Sequence, residues 1–495
     1  MNKQKEINAD QVNEIMEDAW KAFHIYRKMS IHQRAFFMKQ IANRLEGDTE
    51  NLIETAIHET NLQEARLRGE LTRTMFQLNS YAEACEKGQW LEARIDTADN
   101  NKIPAKPDIR KMLVPLGPVV VFGASNFPFA YSTAGGDTAS AFAAGCPVIV
   151  KGHPAHPQTS ALTAALILKA ATDCNMPRGI FAHVPGHTNA EGEALVKHFY
   201  TRAVGFTGSF AGGKQLFDWG NQRKYPIPVF AEMGSVNPIF LLPEKIKSDH
   251  LEMARQCAAS IILGCGQFCT NPGIIVGLDN TDLEVFITIL KQEIRKAPPA
   301  PMLNEGIFKN YEEKKGLALS QPGVDAIAVS DSEANVNQGT PTVAATTAKK
   351  FIQNQQLHQE VFGPYSIIIK CADMEEMKEV AIHLEGQLTT SLMATENDLI
   401  QNDELVEMLK DICGRVIING VPTGVEVCLS MHHGGPFPAT TDSRFTSVGA
   451  DAIKRFARPI SFQNWPQNLL PEELQNHNPL NIWRTVNNQP GNIKI

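Results

Sequence analysis

The stretch Leu263 to Gly273 reads LGCGQFCTNPG, and its second cysteine, Cys269, sits between glycines and beside Asn271-Pro272. The apolar, small-residue run from Cys257 to Gly264 reads as a helix, which puts Cys269 on the turn that follows it. A thiol on a turn can be approached by a substrate, whereas one in the middle of an apolar face packs as a small hydrophobe. Upstream, PVFAEMGSVNP presents Glu232 at the end of a strand-like apolar run. Further upstream, VVVFGASNFPFAYSTAGGDTASAFAAGCPVIVKGHP holds a strand, a loop carrying Asn126, a small-residue helix and a second strand ending on Lys151. A nucleophile, a carboxylate base, a neutral amide donor and a lysine at the ends of strands are the parts of a reaction site. Cys265 and Cys269 lie four apart, but no nearby His/Cys pair completes a zinc pattern, so no metal is expected.

Alternating elements position these groups. Strand Val119–Phe122, helix Ser132–Ala144 and strand Val148–Val150 form a βαβ unit. A helix from about Thr159 to Cys174, strand Ile180–Val184, helix Asn189–His198, strand Ala203–Thr207 and a helix beginning near Gly212 extend it. The pattern predicts an α/β fold with a doubly wound parallel sheet and ligands at the carboxyl ends of its strands. The turn Gly208-Ser209-Phe210-Ala211-Gly212-Gly213 is not a GxGxxG, yet between a strand and a helix its amides can face a pyrophosphate. A second α/β segment follows from about Gly234, with strands at Pro238–Leu242 and Ile274–Val276, a strand-rich stretch opening at Val361–Pro364, and a last strand at Arg415–Asn419. The polar tract Ser330–Val343 reads as surface.

Ahead of these, residues from about Ala9 to Gln77 read as successive helices, with a Ser30/Gln33 capping box before Phe37, Ile41 and Leu45. The mixed charges Glu64, Arg66, Arg68, Glu70 and Arg73 read as a solvated face and are assigned no chemistry. Ile103 to Leu116, punctuated by prolines, fits a short hairpin. After Gly424, the tract HHGGPFPATTDSRF has the composition of a pocket lining rather than a core.

A chain of 495 residues exceeds one simple core and implies two or three domains. Net charge −8 and scattered basic residues argue against a nucleic-acid partner. The longest apolar stretches fall short of the ~20 residues that span a bilayer, so no membrane association is expected. The polar, amphipathic start MNKQKEINADQVNEIMEDAW and nine scattered cysteines predict reduced thiols in a cytoplasmic protein.

Six segments, SNFP (Ser125 to Pro128), VIVKGHP (Val148 to Pro154), FTGS (Phe206 to Ser209), AEMGSVNP (Ala231 to Pro238), GQFCTNPG (Gly266 to Gly273) and EVFGP (Glu360 to Pro364), resemble those of the NAD(P)-dependent aldehyde dehydrogenases, in that family's order. Within the family, KGHPAHPQTS and the tail VPTGVEVCLSMHHGGPFPATTDSRFTSVG look most like 2,5-dioxovalerate (α-ketoglutarate semialdehyde) dehydrogenases. The resemblance implies a cofactor-binding domain of residues 1–100 and 119–234 and a catalytic domain of residues 235–430. It also implies a small β oligomerisation element of residues 101–118 with 431–495, its hairpin pairing with a strand near Arg458 to Phe462. A homodimer or homotetramer follows.

By the same resemblance, Cys269 attacks the aldehyde, Asn126 and the Cys269 amide hold the oxyanion, and Glu232 is the base that activates water. Lys151, Gly208 and Ser209 contact the NADP or NAD cofactor; Glu360 holds the nicotinamide ribose and Phe362 packs beside the ring. Ser125 stands where many members have an aromatic residue, which makes the wall beside the oxyanion roomier and more polar. Arg444 is the candidate for a substrate carboxylate. Members strict for NAD carry a glutamate three residues after the lysine; here Pro154 stands there, and a protonatable His153 precedes it, so NADP should be accepted at least as readily as NAD. Three other readings compete: a cysteine esterase or thioesterase that needs no nucleotide, a non-catalytic homologue, and a CoA-acylating dehydrogenase, which has no use for Glu232.

Overall fold

The computed structural model describes residues 8–186 and 188–495; the first seven residues of the amphipathic start lie outside them. Four helices open the chain, α1 (Ala9–Tyr26), α2 (Ile31–Gly47), α3 (Thr49–Thr60) and α4 (Glu64–Lys87). The expected capping box is present: Ser30 Oγ accepts from Gln33 N at 3.2 Å, and Gln33 Oε1 accepts from Ser30 N at 3.0 Å. It starts α2 so that Phe37, Ile41 and Leu45 fall on one face, all fully buried.

A ribbon follows, β1 (Arg94–Asp96) antiparallel to β2 (Ile109–Pro115). The hairpin thus begins earlier than the proline pattern suggested. β2 pairs antiparallel with Ala457–Gln463, Arg458 opposite Val114 and Phe462 opposite Arg110, as expected. Arg484–Val486 and Gln489–Gly491 complete this five-stranded sheet on the other side of β1.

The next elements alternate: β3 (Val119–Phe122), α5 (Gly136–Ala144), β4 (Val148–Lys151), α6 (Pro157–Asp173), β5 (Phe181–Val184), α7 (Asn189–Lys197), β6 (Ala203–Thr207), α8 (Phe210–Asn221) and β7 (Val229–Glu232). All five strands run parallel in the order β5-β4-β3-β6-β7, which reverses direction at β3. The carboxyl ends of strands beside such a reversal form a crevice. The first helix of this unit begins four residues later than expected, because Ser132 to Gly136 turns back on Phe129 and Ala130 through backbone bonds.

A second sheet has seven strands, in the order Asp325–Val329, Thr342–Thr347, Tyr365–Cys371, Ile274–Leu278, Ile239–Leu241, Gln387–Met393 and Cys413–Ile418. All but the first neighbour pair are parallel. The tract Ser330–Val343 is not all surface: Gln338–Gly339 pairs with Ala300–Pro301, and Thr342 and Val343 are buried strand residues. The strand expected from Val361 begins at Tyr365, after Gly363 and Pro364 have turned the chain. All nine cysteines are free, and no helix of the described residues is long and apolar enough to cross a membrane.

Candidate active site

The loop bearing Cys269 is bent by three consecutive residues in the left-handed region, Gly264, Cys265 and Gly266 (φ 55°, 58° and 63°). Glycine is required at Gly266 for a second reason: a Cβ there would stand 2.2 Å from the Gly363 carbonyl oxygen. Cys265 is packing, as expected, with its thiol 3.2 Å from the Ala300 carbonyl. Beyond the bend, Asn237 Nδ2 donates to the carbonyls of Cys269 (2.8 Å) and Asn271 (3.0 Å), and Asn271 Nδ2 donates to Gly363 O at 3.2 Å. The motifs around Glu232, Cys269 and Glu360 are thereby tied into one piece, which leaves the Cys269 thiol partly exposed at a cavity.

Glu232 ends β7 and is buried. Its Oε2 accepts from Ser447 Oγ at 2.7 Å, and its Oε1 stands 3.0 Å from His433 Nε2. The same imidazole nitrogen is 3.7 Å from Cys269 Sγ. One ring N–H serves one neighbour at a time, so when it points to sulfur Glu232 Oε1 is left unpaired in a buried setting. The tract after Gly424 packs behind Glu232, where His433, Thr440 and Thr441 line a separate hollow of about 20 Å³ and not the Cys269 cavity. Its Ala439 and Thr441 bond to the backbone of Met233 and Ala231, and Ser447 N donates to His433 O. Sequence reasoning missed His433 and Ser447: both lie in the quoted tail segment, but nothing along the chain shows that this segment meets Glu232.

Burial pushes the Cys269 thiol well above its ordinary value, and the charge and hydrogen bond of Glu232 push it the same way. Burial also raises Glu232, but the charge and hydrogen bond of His433, with bonds from Ser447 and Cys269, outweigh it and hold the carboxyl below its usual range. A neutral thiol therefore rests against an ionised carboxylate and an imidazole, which can take its proton as sulfur attacks. The three donor atoms lie within 4.8 Å of one another.

Asn126 turns its side-chain amide toward the same loop, Nδ2 donating to Gln267 O at 3.1 Å. Its support comes from α4, whose charged face was expected to be solvated and idle. Glu64 and Arg68 fit that expectation, Arg68 pairing with both Glu64 and Glu50. Arg66, Glu70 and Arg73 do not. The Arg66 NH2 group donates to Asn126 O at 2.6 Å, and its guanidinium stacks on Phe127 (5.1 Å) and Phe268 (4.8 Å). Glu70 Oε1 accepts from the backbone of Phe129 (2.8 Å) and Ala130 (3.0 Å), and burial pushes its carboxyl to about 7. Arg73 donates to Val425 O at 2.6 Å. The signal was their i, i+4, i+7 spacing, which places them on one helix face.

A cavity of about 420 Å³ at the ends of β3, β6 and β7 is lined by Cys269, Glu232, Asn126, Gly208, Ser209, Glu360 and Phe362, seven of the residues singled out in the sequence. Lys151 lines an adjoining cavity of about 350 Å³, which shares Phe206 and Gly212 with the first. Lys151 Nζ donates to Gly186 O at 3.1 Å, and burial lowers its pKa. Ser209 caps α8 by accepting from Gly212 N at 3.3 Å, which starts that helix at Phe210, earlier than expected. A Cβ at Gly208 would meet the Phe206 ring at 2.6 Å, and one at Gly234 would stand 2.6 Å from Glu360 Oε2, so both glycines keep the cleft open. Two linked cavities, a capped helix start and a lysine form a cradle that fits a dinucleotide.

Two expectations are corrected. Arg444 does not face this cleft: its side chain is 79% exposed and forks onto Asp442 at 2.8 and 2.6 Å, two residues away in its own turn. His153 lines the cleft, but burial, with His156 and Lys151 adding to it, pushes its imidazole to about 3, so it is neutral at ordinary pH and adds no charge for a phosphate.

Comparison with known proteins bears on what this arrangement does. Residues 1–436 match the aldehyde dehydrogenase family. The chain is 44% identical over 474 residues to alpha-ketoglutaric semialdehyde dehydrogenase 2 of Azospirillum brasilense, covering 96% of this chain and 90% of that protein. It is 43% identical over 480 residues to the alpha-ketoglutaric semialdehyde dehydrogenase of Acinetobacter baylyi, with 97% and 91% covered. Among solved structures, the succinic semialdehyde dehydrogenase of Streptococcus pyogenes in complex with NADP⁺ superposes with a TM-score of 0.78 at 18% identity, over 94% of this chain and 97% of that one.

Proposed function

The chain belongs to the aldehyde dehydrogenase family, and from that premise we propose that it oxidises 2,5-dioxovalerate (α-ketoglutaric semialdehyde) to 2-oxoglutarate with NAD or NADP. The observation that carries the chemistry is the contact of Cys269 Sγ with His433 Nε2 at 3.7 Å, itself 3.0 Å from Glu232, at the wall of a dinucleotide-sized cleft. The substrate rests on the two semialdehyde dehydrogenases that match nearly the full chain.

Cys269 gives up its proton to Glu232, directly or through His433, and sulfur forms a bond to the aldehyde carbon. The carbonyl oxygen becomes an oxyanion beside the Asn126 amide and the Cys269 N–H, where a fixed neutral donor is worth ~3 kcal/mol of barrier. When bound, the nicotinamide accepts the hydride that leaves that carbon. Lys151 and the capped start of α8 would hold the adenosine and pyrophosphate, and Glu360 and Phe362 the nicotinamide ribose and ring. The acid stays attached to Cys269 as a thioester. Glu232 first releases the thiol proton to solvent; as a carboxylate again it takes a proton from water, water oxygen bonds to the acyl carbon, the C–S bond breaks with its electron pair on sulfur, and the product leaves as a carboxylate, its remaining proton returning to Cys269 or solvent. Ser447 and His433 hold Glu232 in place for both proton transfers. We assign the sheet formed by β1, β2 and the C-terminal strands to self-association.

The test is reduced-nucleotide absorbance with 2,5-dioxovalerate, with and without CoA. Nucleotide-dependent formation of 2-oxoglutarate without CoA is expected. Hydrolysis of esters with no need of nucleotide, or turnover only with CoA, would refute the reading.

A further inference from the structure

We propose that Arg73 and Arg415 bind the carboxylate at the far end of the substrate and so select acidic over neutral aldehydes; this rests on the reading that the substrate is 2,5-dioxovalerate. The two residues come from distant elements, α4 and the strand Cys413–Ile418. Their side chains meet on one short segment. Arg415 donates to the carbonyls of Pro422 (2.9 Å) and Gly424 (3.1 Å), and Arg73 donates to that of Val425 (2.6 Å). Both guanidinium groups are thus anchored on the one segment Pro422–Val425.

Neither group forms an ion pair with a carboxylate among the described residues, whereas exposed Arg444 has one. The Nε of Arg73 and the Nε of Arg415 are both buried with no hydrogen-bond partner. Two half-buried like charges with unused donors are unfavourable until an anion arrives, and a guanidinium fork matches a carboxylate in shape.

Arg73 reaches the wall of the reacting site. Arg73 NH2 lies 3.4 Å from the Tyr131 hydroxyl, and Tyr131 shares the wall of the Cys269 cavity. The charges of Arg73 and Arg415 are each felt at Cys269. A five-carbon oxo acid carries its carboxylate at the end opposite the aldehyde. With the aldehyde on Sγ, its chain can run past Tyr131 toward the two arginines.

The competing role for this pair is mechanical, holding the segment Pro422–Val425 in place. The experiment compares kcat/KM for 2,5-dioxovalerate and for pentanal, a neutral aldehyde of the same length, in the wild type, Arg73→Met, Arg415→Met and Arg415→Lys. The ratio favouring the oxo acid is expected to fall about tenfold or more in each Met variant, mainly through KM, and less in the Lys variant. Glutarate, a dianion that cannot react, should compete with pentanal in the wild type and lose that competition in the Met variants. Equal losses for both aldehydes with glutarate inhibition intact would overturn the proposal in favour of the mechanical role. A wild type that prefers pentanal would refute the substrate reading itself, before any variant is made.

Discussion

Glu232 Oε1 and His433 Nε2 stand 3.0 Å apart, both side chains almost fully buried, and the same His433 nitrogen reaches Cys269 Sγ at 3.7 Å. The thiol therefore has two neighbours able to take its proton, while water attack on the thioester calls on the ionised carboxylate. Glu232→Gln is accordingly expected to keep a first-turnover burst of reduced nucleotide and then stall, with the steady state at least about a hundredfold slower. Rapid-mixing absorbance reads both phases. If the burst disappears while the fold is intact, His433 cannot replace Glu232 in forming the thiolate.

Cys269→Ala is expected to abolish turnover and leave nucleotide binding in place, since sulfur acts in the bond-making step and the cleft is lined by other residues as well. Cys265→Ala should be mild, because its buried thiol only bonds carbonyls. Chelators should leave the wild type active, and added zinc should inhibit by capping the Cys269, Glu232 and His433 donors. Retained dehydrogenase activity in Cys269→Ala would move the nucleophile elsewhere.

What could be read from the chain in advance follows from how locally it is encoded. Alternation of apolar strands and small-residue helices is a short-range pattern, and it placed β3 to β7 with errors of a few residues at their ends. Cys269, Glu232 and Asn126 sit in motifs whose turns need glycine, asparagine or proline, and such residues announce themselves. His433 stands beside Gly434, Gly435 and Pro436, but these mark a turn and not what the imidazole meets. It meets Glu232 only because Ala439 and Thr441 dock on β7, a pairing of segments far apart in the chain. Arg444 misled for the complementary reason: charge type is visible in sequence, but direction is not, and its fork closes on Asp442. On α4 the charges were seen and the face was misjudged, since alternating sign looks the same on a solvated surface as under a loop.

Glu70 shows what that face does. It accepts from two backbone N–H groups of the loop after Asn126, so Glu70→Leu strands both and is expected to cost about 2–5 kcal/mol of stability. Glu70→Gln keeps an acceptor and should be milder. The folded carboxyl is raised from 4.5 to about 7, so the wild type loses stability relative to Glu70→Gln as pH rises through that window. Denaturant midpoints at several pH values check both statements. A flat difference between wild type and Gln would mean the carboxyl is ionised throughout.

Glu360 is also raised to about 7, by burial against the opposing charge of Lys314 and the Ser235 N–H. Below that pH it is neutral, and above it a carboxylate that can accept from both hydroxyls of a ribose. Nucleotide affinity is therefore expected to tighten between pH 6 and pH 8 by about tenfold. Fluorescence titration with reduced nucleotide measures it. The same slope in Glu360→Gln would assign the effect to another group.

Nucleotide choice turns on the neighbourhood of Lys151. The expectation of easy NADP use had two supports, the uncharged Pro154 and a cationic His153, and the second is gone because His153 stays neutral. The structure adds an acidic group on another side. Glu191, near the start of α7, is buried, and its charge acts on Lys151. A Cβ built on Gly186 would stand 2.6 Å from Lys151 Nζ and 2.8 Å from Glu191 Oε2, which puts the two ends in one small space. A 2′-phosphate held by Lys151 would feel that carboxylate through a poorly screened path, while the uncharged ribose of NAD would not. Both nucleotides should support turnover in the wild type, with Glu191 weighing against NADP. Glu191→Gln is expected to raise the NADP to NAD ratio of kcat/KM by about tenfold, ~1.4 kcal/mol. That ratio, measured at one saturating aldehyde, is the check, and a ratio unmoved by Glu191→Gln would place the ribose beyond this carboxylate and leave Pro154 as the sole determinant near Lys151.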